Sequence, residues 1–498
     1  MVCGTTSDAG KTTLVTGLCR LLARQGVSVA PFKGQNMSLN SMVTAEGAEI
    51  GRAQWVQAVA AGAEPEVAMN PVLLKPTSER TSQVILMGRP LGVQEAAGYQ
   101  RSKDVLFEVV DAALADLRAR FDVVICEGAG SPAEINLLDY DIVNLGLARR
   151  AELPALVVGD IHRGGVFSHL FGTVAILPDE LRSCVRGFVI NMFRGDPDLL
   201  GDAMAQLEAR CGVPTLGVLP YLPGLVLDAE DSLHQMLAAL DPGPVLTGDQ
   251  LDVAVLRLPR LSNFTDVDPL ALEPGVQVRF VDHPSSFGYP DLVVLPGTKA
   301  TVADLAWIRS TGLLDVLEQR RRAPDPPVVL GICGGYQMLG HEIVDRAAVE
   351  SAMAVTAGLG WLPVRTTFTE AKTTRLCRAS SESGTPVTGY EIRHGQTEAR
   401  AGWRSWLRPE LEPTGSVLSA RDAEGRVFGT SLHGLFESDG FRAEFLGHVA
   451  GVRGKDWHPA GVSFAAAREQ QIDRVADACE QFLDLGALYE IVAAGAPA

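Results

Sequence analysis

Short apolar runs rich in β-branched residues recur through the first half of the chain, separated by stretches whose apolar positions repeat at helical spacing. Residues 27–32, 123–126, 155–158, 188–190 and 216–219 each read as a strand buried on both faces. Leu14, Val15, Leu18, Leu21 and Leu22 fall on one stripe of a helix that opens at Lys11, and Gly26 stands where that helix should stop. Strands alternating with helices in this way predict a parallel sheet covered on both faces. Between residues 240 and 250 the text (LDPGPVLTGDQ) is rich in chain breakers and loses all periodicity, which predicts a domain boundary. A second α/β alternation follows, with strands expected at 253–256, 278–281, 292–295, 328–332 and 427–432. After about residue 441 the pattern turns helical, with Ile472, Val475, Ala476, Cys479, Phe482 and Leu483 at i, i+3, i+4 spacing. The organisation expected is an α/β chain. A doubly wound domain spans 1–235, a linker 236–250, a second α/β domain 251–441, and a helical tail 442–498 that packs rather than acts.

Composition narrows the class. At 498 residues the chain exceeds one ordinary core, and with 46 % hydrophobic and 21 % charged residues it reads as folded rather than fibrous or disordered. Its 60 acidic and 43 basic residues leave a net charge of −17, which as a whole repels nucleic acid and anionic lipid. The eight cysteines form no C-x-x-C pair, no apolar run approaches membrane-spanning length, and the first residues carry no basic or apolar leader. A cytoplasmic protein with reduced thiols is expected, without a zinc knuckle, membrane span or signal peptide. Only seven lysines occur, so a lysine inside a motif carries more weight than usual.

Residues 4–12 (GTTSDAGKT) end as a phosphate-binding loop does, with Gly10-Lys11-Thr12 opening a helix. Loop N–H groups at a helix start can cradle phosphate oxygens, Lys11 can offset their charge, and the Thr12 hydroxyl can ligate Mg²⁺. Five residues separate Gly4 from Gly10, one more than usual. The preceding strand is reduced to Met1, Val2 and Cys3, which reads as a late start or a very short first strand. Glu127, at the carboxyl end of the strand 123–126, is the acid expected to share the metal, and Asp160 has the same topology.

A second chemistry stands at residues 328–340 (VVLGICGGYQMLG). There a buried strand runs into a helix through Cys333, flanked by small residues. Such a turn exposes a nucleophile and offers N–H groups to an oxyanion. The cysteine needs a base, and His433, at the end of the strand expected at 427–432, competes with His394 for that role. Spacing does not choose between them.

Residues 4–12, 30–37 (APFKGQNM), 49–54 (EIGRAQ), 70–76 (NPVLLKP), 127–136 (EGAGSPAEIN), 163–167 (RGGVF), 193–196 (FRGD) and 262–266 (SNFTD), with the Cys333 turn and 431–434 (SLHG), are together highly specific. They resemble the cobyric acid synthase family, the glutamine-hydrolysing amidotransferases of cobalamin biosynthesis. The resemblance implies a P-loop domain similar to dethiobiotin synthetase, followed by a class I glutamine amidotransferase domain whose nucleophile and base match Cys333 and His433. It implies ATP bound through Gly10, Lys11, Thr12, Thr13 and Lys33, with Lys33 near the transferring phosphate, and Mg²⁺ at Thr12, Glu49 and Glu127. The implied partners are glutamine and adenosylcobyrinic acid a,c-diamide, whose b, d, e and g carboxylates would be amidated through acyl phosphates. Neither nucleic acid nor membrane is expected, and homo-oligomerisation is left open.

Three positions depart from the expected patterns: Leu435 stands where many class I glutaminases carry a glutamate, leaving the third triad member unassigned, Gly34 follows Lys33, and His162 interrupts the motif around Asp160. Two alternatives share these motifs. One is a cobyrinic acid a,c-diamide synthase acting on other carboxylates of the same ring, and the other is a non-catalytic P-loop switch ATPase with an inactive glutaminase domain.

Overall fold

Hydrophobic strands that bury both faces need two helical layers, and the first unit of the computed structural model is built that way. The structure describes every residue except 79, 96–102, 226, 228–247, 412–414 and 496–498. The chain divides into two compact units. One comprises Met1–Ser38, Ile50–Ser232 and Arg468–Ala498, the other Leu39–Glu49 and Leu233–Ala467.

In the first unit the strands Val2–Gly4, Ala155–Asp160, Val185–Phe193 and Thr215–Pro220 lie side by side in parallel. The parallel pair Val29–Phe32 and Val123–Cys126 joins this sheet through a bridge between Val2 and Glu127. Short as it is, Val2–Gly4 is thus a central strand. Successive side chains alternate between layers. Val2, Val158 and Val189 face a core that includes Leu14, Val15 and Leu18 of the helix Lys11–Arg24, whereas Cys3, Val157, Phe188 and Ile190 face Leu170 and Leu207. Burying each such side chain contributes about 1.5–3 kcal/mol.

The second unit carries a six-stranded sheet in the order Val276–Val281, Leu251–Leu256, Leu292–Leu295, Val328–Ile332, Val427–Thr430, Ser419–Arg421, parallel except for the last pair. A second sheet is dominated by the antiparallel pair Val364–Ser381 and Pro386–Ala399, which sequence pattern did not anticipate.

The units differ from the expected boundaries in two places. Leu39–Glu49 folds with the second unit, and from Arg468 onward the C-terminal chain folds with the first. The helix Phe464–Phe482 sets Ile472, Val475 and Cys479 into the same core as Leu14 and Val15. A Cβ on Gly17 would fall 2.7 Å from Cys479 Sγ, so the close approach of these helices requires glycine there. Of the linker expected at 236–250, residues 236–247 lie outside the described ones.

Candidate active sites

The loop between Gly4 and Gly10 leads straight from the central strand into the helix Lys11–Arg24, at the carboxyl edge of the sheet, where ligands of such folds gather. Gly10 has φ 100°, and a Cβ on it would lie 1.9 Å from Asn191 Nδ2, whose amide donates to Ala9 O at 3.0 Å. Only glycine fits that position without strain. Lys11 Nζ donates to Thr6 O (2.9 Å), Ser7 O (2.7 Å) and Gly130 O (3.3 Å), which holds the ammonium over the loop. Thr13 follows in the same helical turn, half-buried.

Glu127 is the hub of this site. Its Oε1 accepts from Thr12 Oγ1 at 2.9 Å and from Lys33 Nζ at 3.0 Å, and Oε2 accepts from Gln57 Nε2. Burial opposes its ionisation, but Lys33, the Gln57 hydrogen bond and Lys11 together hold the carboxyl below the usual range. Thr12, Lys33, Lys11 and Glu127 are therefore one cluster. A threonine hydroxyl in contact with an ionised carboxylate is a pair of hard oxygen donors, the chemistry that suits Mg²⁺. Asp160, at the end of its strand, instead accepts from His162 N–H at 2.7 Å and pairs with Arg163, which also reaches Asp8 at 2.9 Å.

Glu49 is the further acid that the resemblance implies at the metal. It belongs to the second unit, where it accepts from Ser41 Oγ at 2.8 Å and pairs with Lys372. Both side chains of that pair are almost wholly buried, and a buried carboxylate needs such a counter-charge.

In the second unit Cys333 sits between the strand Val328–Ile332 and the helix Gly334–Leu339 with φ 49° and ψ −104°, a conformation rare for a side-chain-bearing residue. The turn is tight because its neighbours are small. A Cβ on Gly335 would lie 1.9 Å from Leu295 O, and one on Gly334 2.7 Å from Thr298 Cγ2. Cys333 N–H donates to Thr430 O at 2.8 Å, which ties this turn to the strand that leads to His433.

His433 is buried, stacks on Tyr390 with ring centres 5.4 Å apart, and exchanges backbone hydrogen bonds with it. Its Nδ1 lies 2.7 Å from Asp266 Oδ2, while Asp266 Oδ1 accepts from Gly434 N–H at 2.8 Å. Burial favours the neutral ring, but Asp266, hydrogen-bonded to the imidazole, and the neighbouring Cys333 outweigh it and push its pKa up to about 10. His394 stands in different surroundings. Its Nδ1 meets Thr369 O at 3.1 Å, and burial with Lys299 and Lys372 pushes it down to about 4. Of the two candidates, His433 is the one partnered with Cys333.

Asp266 is the residue that spacing missed. It lies upstream of the cysteine, on the loop after Leu251–Leu256, rather than just after the histidine, where the buried Leu435 stands. The signal was present in the 262–266 segment, whose aspartate had no assigned work.

A phosphate loop with its acid in one α/β unit, and a cysteine-histidine-aspartate constellation at the carboxyl edge of another, define a P-loop nucleotide-binding unit joined to a glutamine amidotransferase unit. Residues 1–233 match the CobQ/CobB/MinD/ParA nucleotide binding domain, and residues 252–441 the CobB/CobQ-like glutamine amidotransferase domain. The chain is 52 % identical over 510 residues to the cobyric acid synthase of Nocardia farcinica, 52 % over 505 to that of Streptomyces coelicolor, and 50 % over 520 to that of Frankia casuarinae. Each comparison covers 100 % of this chain and 97 % of the relative. The chain belongs to the cobyric acid synthase family. It is an enzyme, a glutamine amidotransferase ligase of cobalamin biosynthesis, which sets aside the non-catalytic switch.

Proposed function

We propose that this enzyme amidates the b, d, e and g carboxylates of adenosylcobyrinic acid a,c-diamide, with ATP and glutamine, to give adenosylcobyric acid. A carboxylate oxygen is a poor leaving group, so each carboxylate first takes the γ-phosphoryl group of ATP. Ammonia then displaces phosphate from the acyl phosphate. Gly10, Lys11, Thr12 and Thr13 bind the nucleotide, and Lys11 and Lys33 stabilise charge on the transferring phosphoryl group. Thr12 and Glu127 would hold Mg²⁺, which supplies further neutralisation of the phosphate oxygens. In the glutaminase unit Cys333 Sγ attacks the side-chain carbonyl of glutamine. His433 protonates the departing ammonia, N–H groups opening the helix stabilise the oxyanion, and water releases glutamate from the thioester. A cytoplasmic location is in keeping with eight unpaired cysteines. Among the described residues no helix is long and apolar enough to cross a membrane.

The observation that carries this reading is the Cys333–His433–Asp266 constellation in a chain whose other unit holds a separate phosphate loop. Two variants test it. Cys333→Ala should lose glutamine-dependent synthesis while free ammonia still supports amidation, and Lys11→Ala should lose both. Equal loss with both nitrogen donors in Cys333→Ala, or ammonia-dependent synthesis surviving in Lys11→Ala, contradicts the two-site mechanism.

A further inference from the structure

Leu39–Glu49 folds with the glutaminase unit although the chain on either side of it belongs to the other unit. Its contacts are specific. Asn40 Oδ1 accepts from Phe264 N–H at 3.1 Å, and Asn263 Oδ1 accepts from Ser41 N–H at 3.0 Å, so the two segments clasp each other by reciprocal side-chain-to-backbone bonds. Asn263 is in the left-handed region (φ 50°, ψ 44°), and its carbonyl accepts from Asp266 N–H at 3.0 Å. The turn that the clasp grips is therefore the turn that presents Asp266 to His433. Asn40, Ser41, Asn263 and Asp266 are all buried, where an unmade hydrogen bond costs most.

The other end of the segment is tied as well. Ser41 Oγ donates to Glu49 Oε1 at 2.8 Å, and Glu49 pairs with Lys372 on the strand Val364–Ser381. That strand pairs with Pro386–Ala399, which supplies both Tyr390, stacked on His433, and the Ile392 carbonyl, 3.8 Å from Cys333 Sγ. One short segment thus ties the loop that orients the base to the strand pair that walls the nucleophile.

We propose that Asn40, Ser41 and Glu49 are positioning residues of the glutaminase site. They are supplied by the synthetase half of the sequence and hold the 262–266 turn so that Asp266 keeps His433 directed at Cys333. The proposal rests on the Cys333–His433–Asp266 reading above. These three residues act only through the groups they hold.

The test uses the full-length enzyme, reading glutamate release and ammonia-dependent amidation side by side. Asn40→Ala strands the Phe264 N–H, and glutaminase kcat should fall about tenfold with KM for glutamine little changed. The alkaline limb of its pH profile should move down as Asp266 loosens from His433, while ammonia-dependent amidation persists. Asn40→Asp keeps the acceptor and should restore most of the rate. Unchanged glutaminase kcat and pH profile in Asn40→Ala, equal loss with both nitrogen donors, or no recovery in Asn40→Asp overturns the proposal. Where Asn40→Ala does not fold, Ser41→Ala cuts the Glu49 link while the backbone bond to Asn263 stays, and should lower glutaminase kcat in the same direction. No change there is equally fatal. Cys333→Ala run in parallel separates the failures, since glutamate release surviving in that variant removes the underlying assignment instead.

Discussion

In the proposed glutaminase site, Asp266 places a charge behind the His433 ring. With the imidazole pushed up to about 10 from an ordinary 6.5, its protonated form persists across neutral pH beside the thiol. The linkage to stability follows the same sign. The pairing contributes fully below the unfolded value of 6.5 and is lost as pH rises through 10. Asp266→Asn removes the charge but keeps the shape. Glutaminase kcat should drop on the order of 10²–10⁴-fold, with the alkaline limb of the pH profile moving to lower pH. A rate and profile like the parent's, measured by glutamate release from pH 6 to 11, would remove Asp266 from the mechanism. The turns that carry Cys333 and Lys11 were legible from neighbours in sequence, because a strand, a glycine-bearing turn and a helix start are local signals. Asp266 was not, because a partner 167 residues from His433 is chosen by the fold and leaves no spacing rule.

At the scale of elements, the buried parallel strands read clearly. Val123–Cys126, Leu292–Leu295 and Val328–Ile332 match their expected bounds, and the others differ by a few residues at their ends. Runs buried on both faces have a composition of their own. Val364–Ser381 and Pro386–Ala399 escaped notice because their faces mix buried and exposed positions irregularly and their register breaks between Phe368 and Thr373. The apolar stripe of the C-terminal helix was legible, but not the surface that it covers. That surface is the first unit's core, and Ile472 is fully buried there. Ile472→Ala should destabilise that unit by about 2–5 kcal/mol. Thermal inactivation of ammonia-dependent amidation should then occur at a lower temperature than in the parent. An unchanged inactivation temperature would mean that the helix does not support the synthetase core.

For the molecule as a whole, one chain carries two chemistries that need opposite surroundings. In the first unit Lys11 and Lys33 gather around the buried Glu127, whereas in the second His433 stands against Asp266 and near Cys333. Each cluster is built at the carboxyl edge of its own parallel sheet. The central claim is the reaction itself, and it is tested most directly by mass spectrometry of adenosylcobyrinic acid a,c-diamide incubated with the purified enzyme, Mg-ATP and glutamine. The account predicts a ladder of products that ends four carboxylate-to-amide exchanges from the starting material. An unchanged substrate mass while ATP and glutamine are consumed would contradict it.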